Sequence, residues 1–338
     1  MKKLKMLVLT DHQTHSQENS LYALLRELRK NPACAQVDVA SRSTPANQLF
    51  FSQQMTRAAL YASPVSSHFQ YHPDGRCFRE KLRRVFLREY DAIFLRLPHP
   101  IAPGFWAFLQ AQYPAERIVN RPDGIERTSD KCFLLEVPHL CPPIYRCRSI
   151  DDILHFKEQF AIVLKPRFNY GGKGLVRIEG NAAWVDNRKV PLVRFLRSLA
   201  GTEVDYLGMK FLQNVDQGDK RVVVVNGQVL GASLRLPAKG SWLCNVAQGG
   251  HAEPTEPDAD ERQIAAVLTP ILRQLGVVMY GFDTLMGDEG KRVLSEINTL
   301  SIGGLPTIAA QTGRPVVRQA ADLIWEHVLA GRQLPSPA

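Results

Sequence analysis

A chain of 338 residues that is 45% hydrophobic and 22% charged can bury a sizeable core, which excludes a disordered tail, a collagen-like fibre and a disulfide-stapled miniprotein. The 42 Lys and Arg against 33 Asp and Glu leave a formal charge of +9, an excess suited to nucleic acid, an anionic membrane face or a polyanionic small ligand. The six cysteines form no C-x-x-C pair, the first apolar run is too short for a signal peptide and no window approaches the ~18 apolar residues of a membrane span, so reduced thiols in the cytoplasm are expected.

Residues 5–10 (KMLVLT) read as a buried parallel strand whose carboxyl end opens on a ligand crevice. Leu21, Leu24, Leu25 and Leu28 share one face of a helix over 19–30, and 37–40 supplies the next strand, the start of a βαβ unit. The stretch 76–88 (RCFREKLRRVFLR) spaces Cys77, Phe78, Leu82, Val85, Phe86 and Leu87 as one amphipathic helix with a solvated basic face would. A nucleic-acid groove is the weaker reading, because aromatic residues are not interleaved with the basic ones as stacking platforms. Strands at 90–98 (YDAIFLRLP) and 117–120 (RIVN) continue an open α/β sheet over residues 1–120. The turn signal at 120–124 (NRPDG) then opens a second region, 121–205. It holds a helix over 150–159 capped by Ser149 or Asp151, a strand at 161–166 and two short antiparallel strands, LVRIEG and AAWVDN. A third region, 206–332, reads as strands at 209–212 (MKFL), at 220–237 reversed by Asn226-Gly227, and at 277–287, with a helix over 258–275.

Three stretches carry chemistry. In IVLKPRFNYGGKG (162–174), a lysine enclosed in an apolar strand is costly unless its ammonium meets an anion, so a negative group is expected near Lys165. Gly171, Gly172 and Gly174 let backbone N–H groups approach that anion and Lys173 adds a cation; a tight turn with Lys165 reaching solvent is the plainer alternative. The segment matches neither the P-loop nor G-x-G-x-x-G. In 281–304 (GFDTLMGDEGKRVLSEINTLSIGG), Glu296 and Asn298 lie two apart on the returning strand of a hairpin and face Asp283 across it. Three hard oxygen donors are what Mg²⁺ takes, against solvated strand residues as the bland reading. In 218–250, Asp219, Arg221 and Arg235 end apolar strands, and a polar loop over 238–250 suits closure over a reactive intermediate, against surface ion pairs worth ~0–1 kcal/mol. His12 and His15 read as a polar loop pair rather than crevice lining. Together these are the parts of an ATP-using transferase or ligase.

The order of the motifs resembles the ATP-grasp superfamily, most closely prokaryotic-type glutathione synthetase, over nearly the whole chain. Carrying the likeness are Asp11 after the first strand, YDAIFLR, IVNRPDGIERTSDK, IVLKP with YGGKG, QGDKRVVVVNG, LRLPAKG with NVAQGG, and GFD with SEIN. The resemblance implies an ATP-grasp fold, α/β and α+β in class: an N-terminal open α/β (pre-ATP-grasp) domain over 1–120, a small lid over 121–205 and a C-terminal subdomain with a metal site over 206–332. It implies a ligase that joins a carboxylate to an amine through an acyl phosphate, cleaving ATP to ADP and phosphate. A ligase for a different amino acid or peptide pair and a nucleotide sensor without turnover are the alternatives. By the same resemblance, Lys131 and Lys165 contact ATP phosphates, Gly171, Gly172, Lys173 and Gly174 cover them, and Met209, Lys210, Phe211 and Leu212 surround the adenine. Asp219 and Arg221 match the GDKR pair, with Asp219 at the nucleotide and Arg221 and Arg235 at the reacting groups. Asp283, Glu296 and Asn298 match ligands of Mg²⁺, or alternatively Mn²⁺, and Arg96, Asn245, Ser301, Gly303 and Gly304 are substrate candidates. Amino acid or peptide substrates, no nucleic acid, no membrane and a homodimer or tetramer complete the implication.

The chain also departs from the family pattern. Arg96-Leu97-Pro98-His99-Pro100 stands where Lys-Asp-Pro-Pro usually follows the strand, and Leu243-Cys244-Asn245 replaces Arg-Gly-Asn. Met209 replaces a glutamine, and residues 299–304 (TLSIGG) replace Val-Thr-Ser-Pro-Thr. ATP and metal positions are kept while substrate positions change, which points to different amino acids or a peptide.

Overall fold

Leu7, Val8 and Leu9 are fully buried, because both faces of their strand are covered. The structure is a computed structural model that describes residues 3–54, 59–186, 188–238, 241–244 and 251–332, and its sheets and helices are those of the described residues. The first sheet comprises β1 (Leu4–Thr10), β2 (Cys34–Ser41), β3 (Ala59–Pro64), β4 (Arg83–Phe86), β5 (Ala92–Arg96) and β6 (Ile118–Val119), in the order β4-β3-β2-β1-β5-β6. Its β2-β1-β5-β6 part is parallel. Helices α1 (Ser20–Lys30), α2 (Gln48–Phe51) and α3 (Phe105–Gln112) belong to this part. The Asn19 side chain caps α1 by accepting from the Leu21 N–H, and the four leucines expected on one face are all buried.

The 76–88 stretch is not a helix. A single 3₁₀ turn at Arg76–Phe78 leads into β4 and a second 3₁₀ turn at Leu87–Glu89. Lys81 has φ 54°, a left-handed conformation that interrupts any continuous helix. Cys77, Phe78, Val85 and Leu87 are buried nonetheless. Two short turns and a four-residue strand reproduce a spacing that periodicity alone assigns to a helix.

The 120–124 signal is likewise a helix start rather than a turn. Pro122 occupies the first position of α4 (Pro122–Ser129), where its missing N–H costs nothing. Gly124 sits inside the helix because a Cβ there would lie 2.2 Å from the Leu275 carbonyl oxygen. Asn120, 2% exposed, makes four hydrogen bonds across to the third sheet. Its Nδ2 donates to the Met279 and Thr299 carbonyls at 2.6 and 2.7 Å, and its Oδ1 accepts from Val278 N and Met279 N at 2.7 and 2.9 Å. Asn120→Ala leaves buried backbone groups unpaired and is expected to cost about 3 kcal/mol of stability. Denaturant unfolding measures it, and a loss below ~1 kcal/mol contradicts it.

The middle sheet contains β7 (Ile144–Cys147), β8 (Ile162–Pro166), β9 (Val176–Glu179), β10 (Ala182–Val185), β11 (Arg188–Pro191) and β12 (Tyr206–Lys210), all antiparallel in the order β11-β10-β9-β8-β12-β7. It takes in residues beyond the 205/206 division expected from sequence. Helices α5 (Ile150–Gln159), capped by Ser149, and α6 (Leu192–Leu199) bury Ile162, Leu164 and Ile178 with Phe156 and Phe195. Alternation therefore turns Val163 and Lys165 to the opposite face.

The third sheet is β13 (Asp219–Val225), β14 (Gln228–Leu236), β15 (His251–Thr255), β16 (Met279–Met286) and β17 (Arg292–Asn298), ordered β15-β14-β13-β16-β17 and antiparallel throughout. Asn226 and Gly227 both have positive φ (47° and 81°), as a two-residue hairpin turn demands. Helix α7 (Ala259–Gln274), with an Asp258–Glu261 capping box, covers the sheet. The chain then returns to its beginning. α8 (Leu305–Thr312) and α9 (Val316–Gly331) pack with α1 in one cluster, where Trp325 Nε1 donates to the Leu28 carbonyl at 2.9 Å. No helix among the described residues is long and apolar enough to cross a membrane.

Candidate active site

A cleft of about 800 Å³ lies between the middle and third sheets. Val163, Leu175, Met209, Phe211, Leu212 and Leu285 supply apolar lining; Lys131, Lys165, Lys173, Asp219, Asp283 and Glu296 supply charge. Gly172 and Lys210 also line it, although the Lys210 ammonium is tied to Asp288 at 2.8 Å. Gly171, Gly172 and Gly174 all have positive φ (68°, 74° and 72°), which keeps the loop beside the cleft tightly wound.

Lys165 is 7% exposed and faces the cleft from β8. Its Nζ donates to the carbonyl and the hydroxyl oxygen of Ser295 at 2.9 and 3.0 Å. Ser295 is available because β17 is irregular there: Asp283 pairs with Glu296 and Thr284 with Leu294, which leaves Ser295 unpaired in that ladder. Burial lowers the Lys165 ammonium to about 8, against the opposing pull of Glu296 and with the help of Lys131. Lys131 itself donates to Glu296 Oε1 at 3.2 Å.

Asp283 and Glu296 face each other across β16 and β17, and Asn298 lies two residues further on the same face. The Arg221 guanidinium, directly opposite on β13, binds Asp283 through two bonds, the Nη2–Oδ2 one at 2.7 Å. Arg235 reaches Asp283 Oδ2 at 2.9 Å and grips Asp219 at 2.6 and 2.9 Å. Burial alone would raise the Asp283 carboxyl, but the two guanidinium charges hold it well below the usual carboxylate range. Asp219 is raised, chiefly by burial and against the pull of Arg235. Two carboxylates and an amide on one face suit a hard divalent cation, and the Asn298 Nδ2 is buried without a partner among the described residues, so no bond from that nitrogen to them fixes the amide. Asp283, Glu296 and Asn298 thus have the donor chemistry that such a cation takes.

A second cavity, about 1210 Å³, adjoins the arginines on their other side. Arg96, Arg221, Arg235, Ser301, Gly303 and Gly304 line it, together with Ser16, Glu18, Asn19, Ser20, Ser233 and Thr307. Arg221 and Arg235 thus separate the two spaces. Arg96 is 2% exposed and has no carboxylate partner among the described residues: Nη2 donates to the Ile302 carbonyl at 2.5 Å, Nη1 reaches Met279 Sδ at 3.9 Å and Nε is buried and unpaired. Burial lowers its guanidinium to about 10. The Ser301 hydroxyl donates to the Arg96 carbonyl at 3.0 Å.

Of the residues singled out from sequence, the cleft brings together Lys131, Lys165, Gly172, Lys173, Lys210, Phe211, Leu212, Asp219, Asp283 and Glu296, and the second cavity brings together Arg96, Arg221, Arg235, Ser301, Gly303 and Gly304. Asn245 and the rest of 245–250, with 239 and 240, lie outside the described residues. His12 stacks on Phe78 and His15 bonds Tyr22, so both serve packing. Sequence reasoning missed Ser295, because a strand irregularity leaves no local signature, and the α1 start at Asn19 and Ser20, whose capping pattern reports a helix and not a cavity wall. It also missed Trp242, which lines the cleft.

The chain matches the family described as prokaryotic glutathione synthetase, ATP-grasp domain, over residues 130–313. The glutathione synthetase of Prochlorococcus marinus (strain MIT 9313) is 32% identical over 243 residues, 70% of this chain and 75% of that one. Among solved structures, D-cycloserine synthetase superposes with a TM-score of 0.63 at 14% identity, covering 96% of this chain and 99% of the other. The ATP-grasp ligase PsnB, complexed with a phosphomimetic variant of its minimal precursor, Mg and ADP, gives 0.57 at 13% identity, covering 95% and 98%. The protein is an ATP-grasp carbon–nitrogen ligase, an enzyme that uses ATP to form an amide bond. Within that class, the chain belongs to the prokaryotic glutathione synthetase family.

Proposed function

We propose that the enzyme joins a carboxylate to an amine through an acyl phosphate, with the nucleotide in the 800 Å³ cleft and the acid and amine in the second cavity. The observation that carries this reading is the shared wall: Arg221 and Arg235 face the substrate cavity while bonded to carboxylates that line the cleft. Lys131, Lys165, Lys173 and the Gly171, Gly172 and Gly174 backbone receive the phosphates; Met209, Lys210, Phe211 and Leu212 bound the base, and Asp219 lies beside the nucleotide. Asp283, Glu296 and Asn298 would hold Mg²⁺, or Mn²⁺ in its place, which when bound neutralises charge on phosphate oxygens. Arg221 and Arg235 offset the charge that develops as phosphate transfers and as the amine attacks the carbonyl. Arg96 orients a substrate carboxylate, with Ser301, Gly303 and Gly304 completing that site.

γ-Glutamylcysteine with glycine is the first pair to test, after the name of the Prochlorococcus relative. The altered residues at 97–99 and 243–244 favour a different amino acid or peptide pair. Incubation with Mg²⁺-ATP and a panel of amino acids and dipeptides should release ADP and phosphate, with mass spectrometry reading the product. Release of AMP and pyrophosphate contradicts the acyl phosphate; ADP binding with silence across the panel favours a sensor. The free cysteines support a reducing, cytoplasmic setting, and a homodimer or tetramer is proposed for sedimentation to test.

The Lys165 ammonium also makes a pH prediction. With its pKa near 8, about half of the molecules carry a neutral amine at that pH. Bound phosphate favours the charged form, so ADP binding at pH 8 is expected to take up a fraction of a proton, and affinity should decline as pH rises further. Calorimetry in buffers of different ionisation enthalpy reads this directly; zero uptake at pH 8 contradicts it.

A further inference from the structure

Tyr170, in the glycine-rich segment after β8, is held by three neighbours. Its ring stacks on the His99 imidazole, centroids 4.0 Å apart and planes 8° from parallel. Its hydroxyl donates to the Ser129 carbonyl at 2.9 Å. The Lys131 ammonium lies 4.9 Å from the ring centroid while it also bonds Glu296. His99 follows β5 of the first sheet, so the stack ties the glycine-rich segment of the middle part to the N-terminal part of the molecule. Gly172 and Lys173, which line the cleft, follow Tyr170 closely in the chain. Burial, Lys131 and Arg42 lower the His99 imidazole to about 4, so at neutral pH it stacks without placing a second positive charge beside Lys131.

We propose that His99 is a positioning residue for nucleotide binding: it docks Tyr170, and docked Tyr170 holds the glycine-rich segment and the Lys131 ammonium in place over the cleft. The docking follows from the ring geometry alone, whereas its consequence for nucleotide rests on the function proposed above. A segment held in its binding conformation does not have to be ordered when the ligand arrives, so affinity gains by what docking contributes. An aromatic pair of this kind corresponds to roughly three- to tenfold in an equilibrium constant.

The full-length protein tests this with two readings: the Kd of ADP in the presence of Mg²⁺, and the rate of tryptic cleavage after Lys173, which is exposed. His99→Ala is expected to weaken ADP binding about three- to tenfold and to speed cleavage, with the melting temperature little changed. His99→Phe, which keeps a stacking ring, is expected to restore both. Unchanged affinity and cleavage in His99→Ala overturn the proposal, as does a His99→Phe variant that behaves like the alanine one. Should His99→Ala not fold, Tyr170→Leu must show the same two changes, and wild-type behaviour there overturns the proposal equally. A wild-type protein that binds no ADP sinks the nucleotide reading instead, and the cleavage rates then judge the docking by themselves.

Discussion

Asp283→Asn is expected to abolish amide-bond formation and to lower the melting temperature, whereas Glu296→Gln abolishes it at nearly constant melting temperature. The two residues face each other as proposed cation ligands, so both losses of turnover follow from removing an oxygen charge where phosphate transfer needs it. Their structural surroundings differ. The Asp283 side chain is 6% exposed and neutralises two guanidinium groups, Arg221 and Arg235. Removing one partner from such a buried set leaves charge unpaired and costs about 3 kcal/mol or more. For a chain of this size that is a fall of roughly 4–7 °C. The Glu296 side chain is 26% exposed and, among the described residues, forms an ion pair only with the Lys131 ammonium, at 3.2 Å; glutamine keeps an oxygen that accepts from that ammonium, so the loss is expected to be about 1 kcal/mol. ADP release with the identified substrates and melting curves on the same samples measure the pair. A Glu296→Gln variant that retains turnover shows that the cation assignment is wrong; an Asp283→Asn variant that melts like wild type shows that the arginines do not depend on that carboxylate.

Arg96→Met is expected to raise the KM for the carboxylate-bearing substrate about a hundredfold or more while leaving the protein as stable as before, or slightly more so. A guanidinium 2% exposed, with two acceptors among the described residues and an unpaired Nε, is an unfavourable thing to bury. Methionine fills a similar volume without the charge, and replacing buried ions with apolar groups is often neutral or stabilising. The lost Ile302 carbonyl bond works against that gain, by about 1 kcal/mol. A hundredfold corresponds to about 2.7 kcal/mol, within reach of one desolvated charge-assisted pair. Steady-state kinetics with each substrate varied, beside thermal melting, decide the matter. A KM within twofold of wild type would remove Arg96 from substrate recognition, and a large loss of stability would assign it to the fold.

The residues legible in the sequence share one property: their signal is local. Lys165 declares itself because a lysine lies inside five residues of apolar strand, and Glu296 with Asn298 because two positions on a strand share a face. Asn19, Ser149 and Asp258 announce helix starts, and Asn226-Gly227 a hairpin, for the same reason. The 76–88 stretch misleads because a left-handed Lys81 breaks a pattern that is otherwise helical. Gly124 misleads because the close Leu275 carbonyl, and not a turn, requires a glycine.

By itself, the sequence determined several helix starts, the Asn226-Gly227 hairpin, the enclosed lysine and the row of oxygen donors, since caps, turns and alternation are written over a few neighbouring residues. Only the tertiary structure decided that Lys165 rests on Ser295, 130 residues away, that Asp283 is shared by two arginines, and that Arg96 stands beside an open cavity with no carboxylate bonded to it among the described residues. Those outcomes depend on which charges are stripped of water together, and that is settled when separate sheets and helices meet, not along the chain.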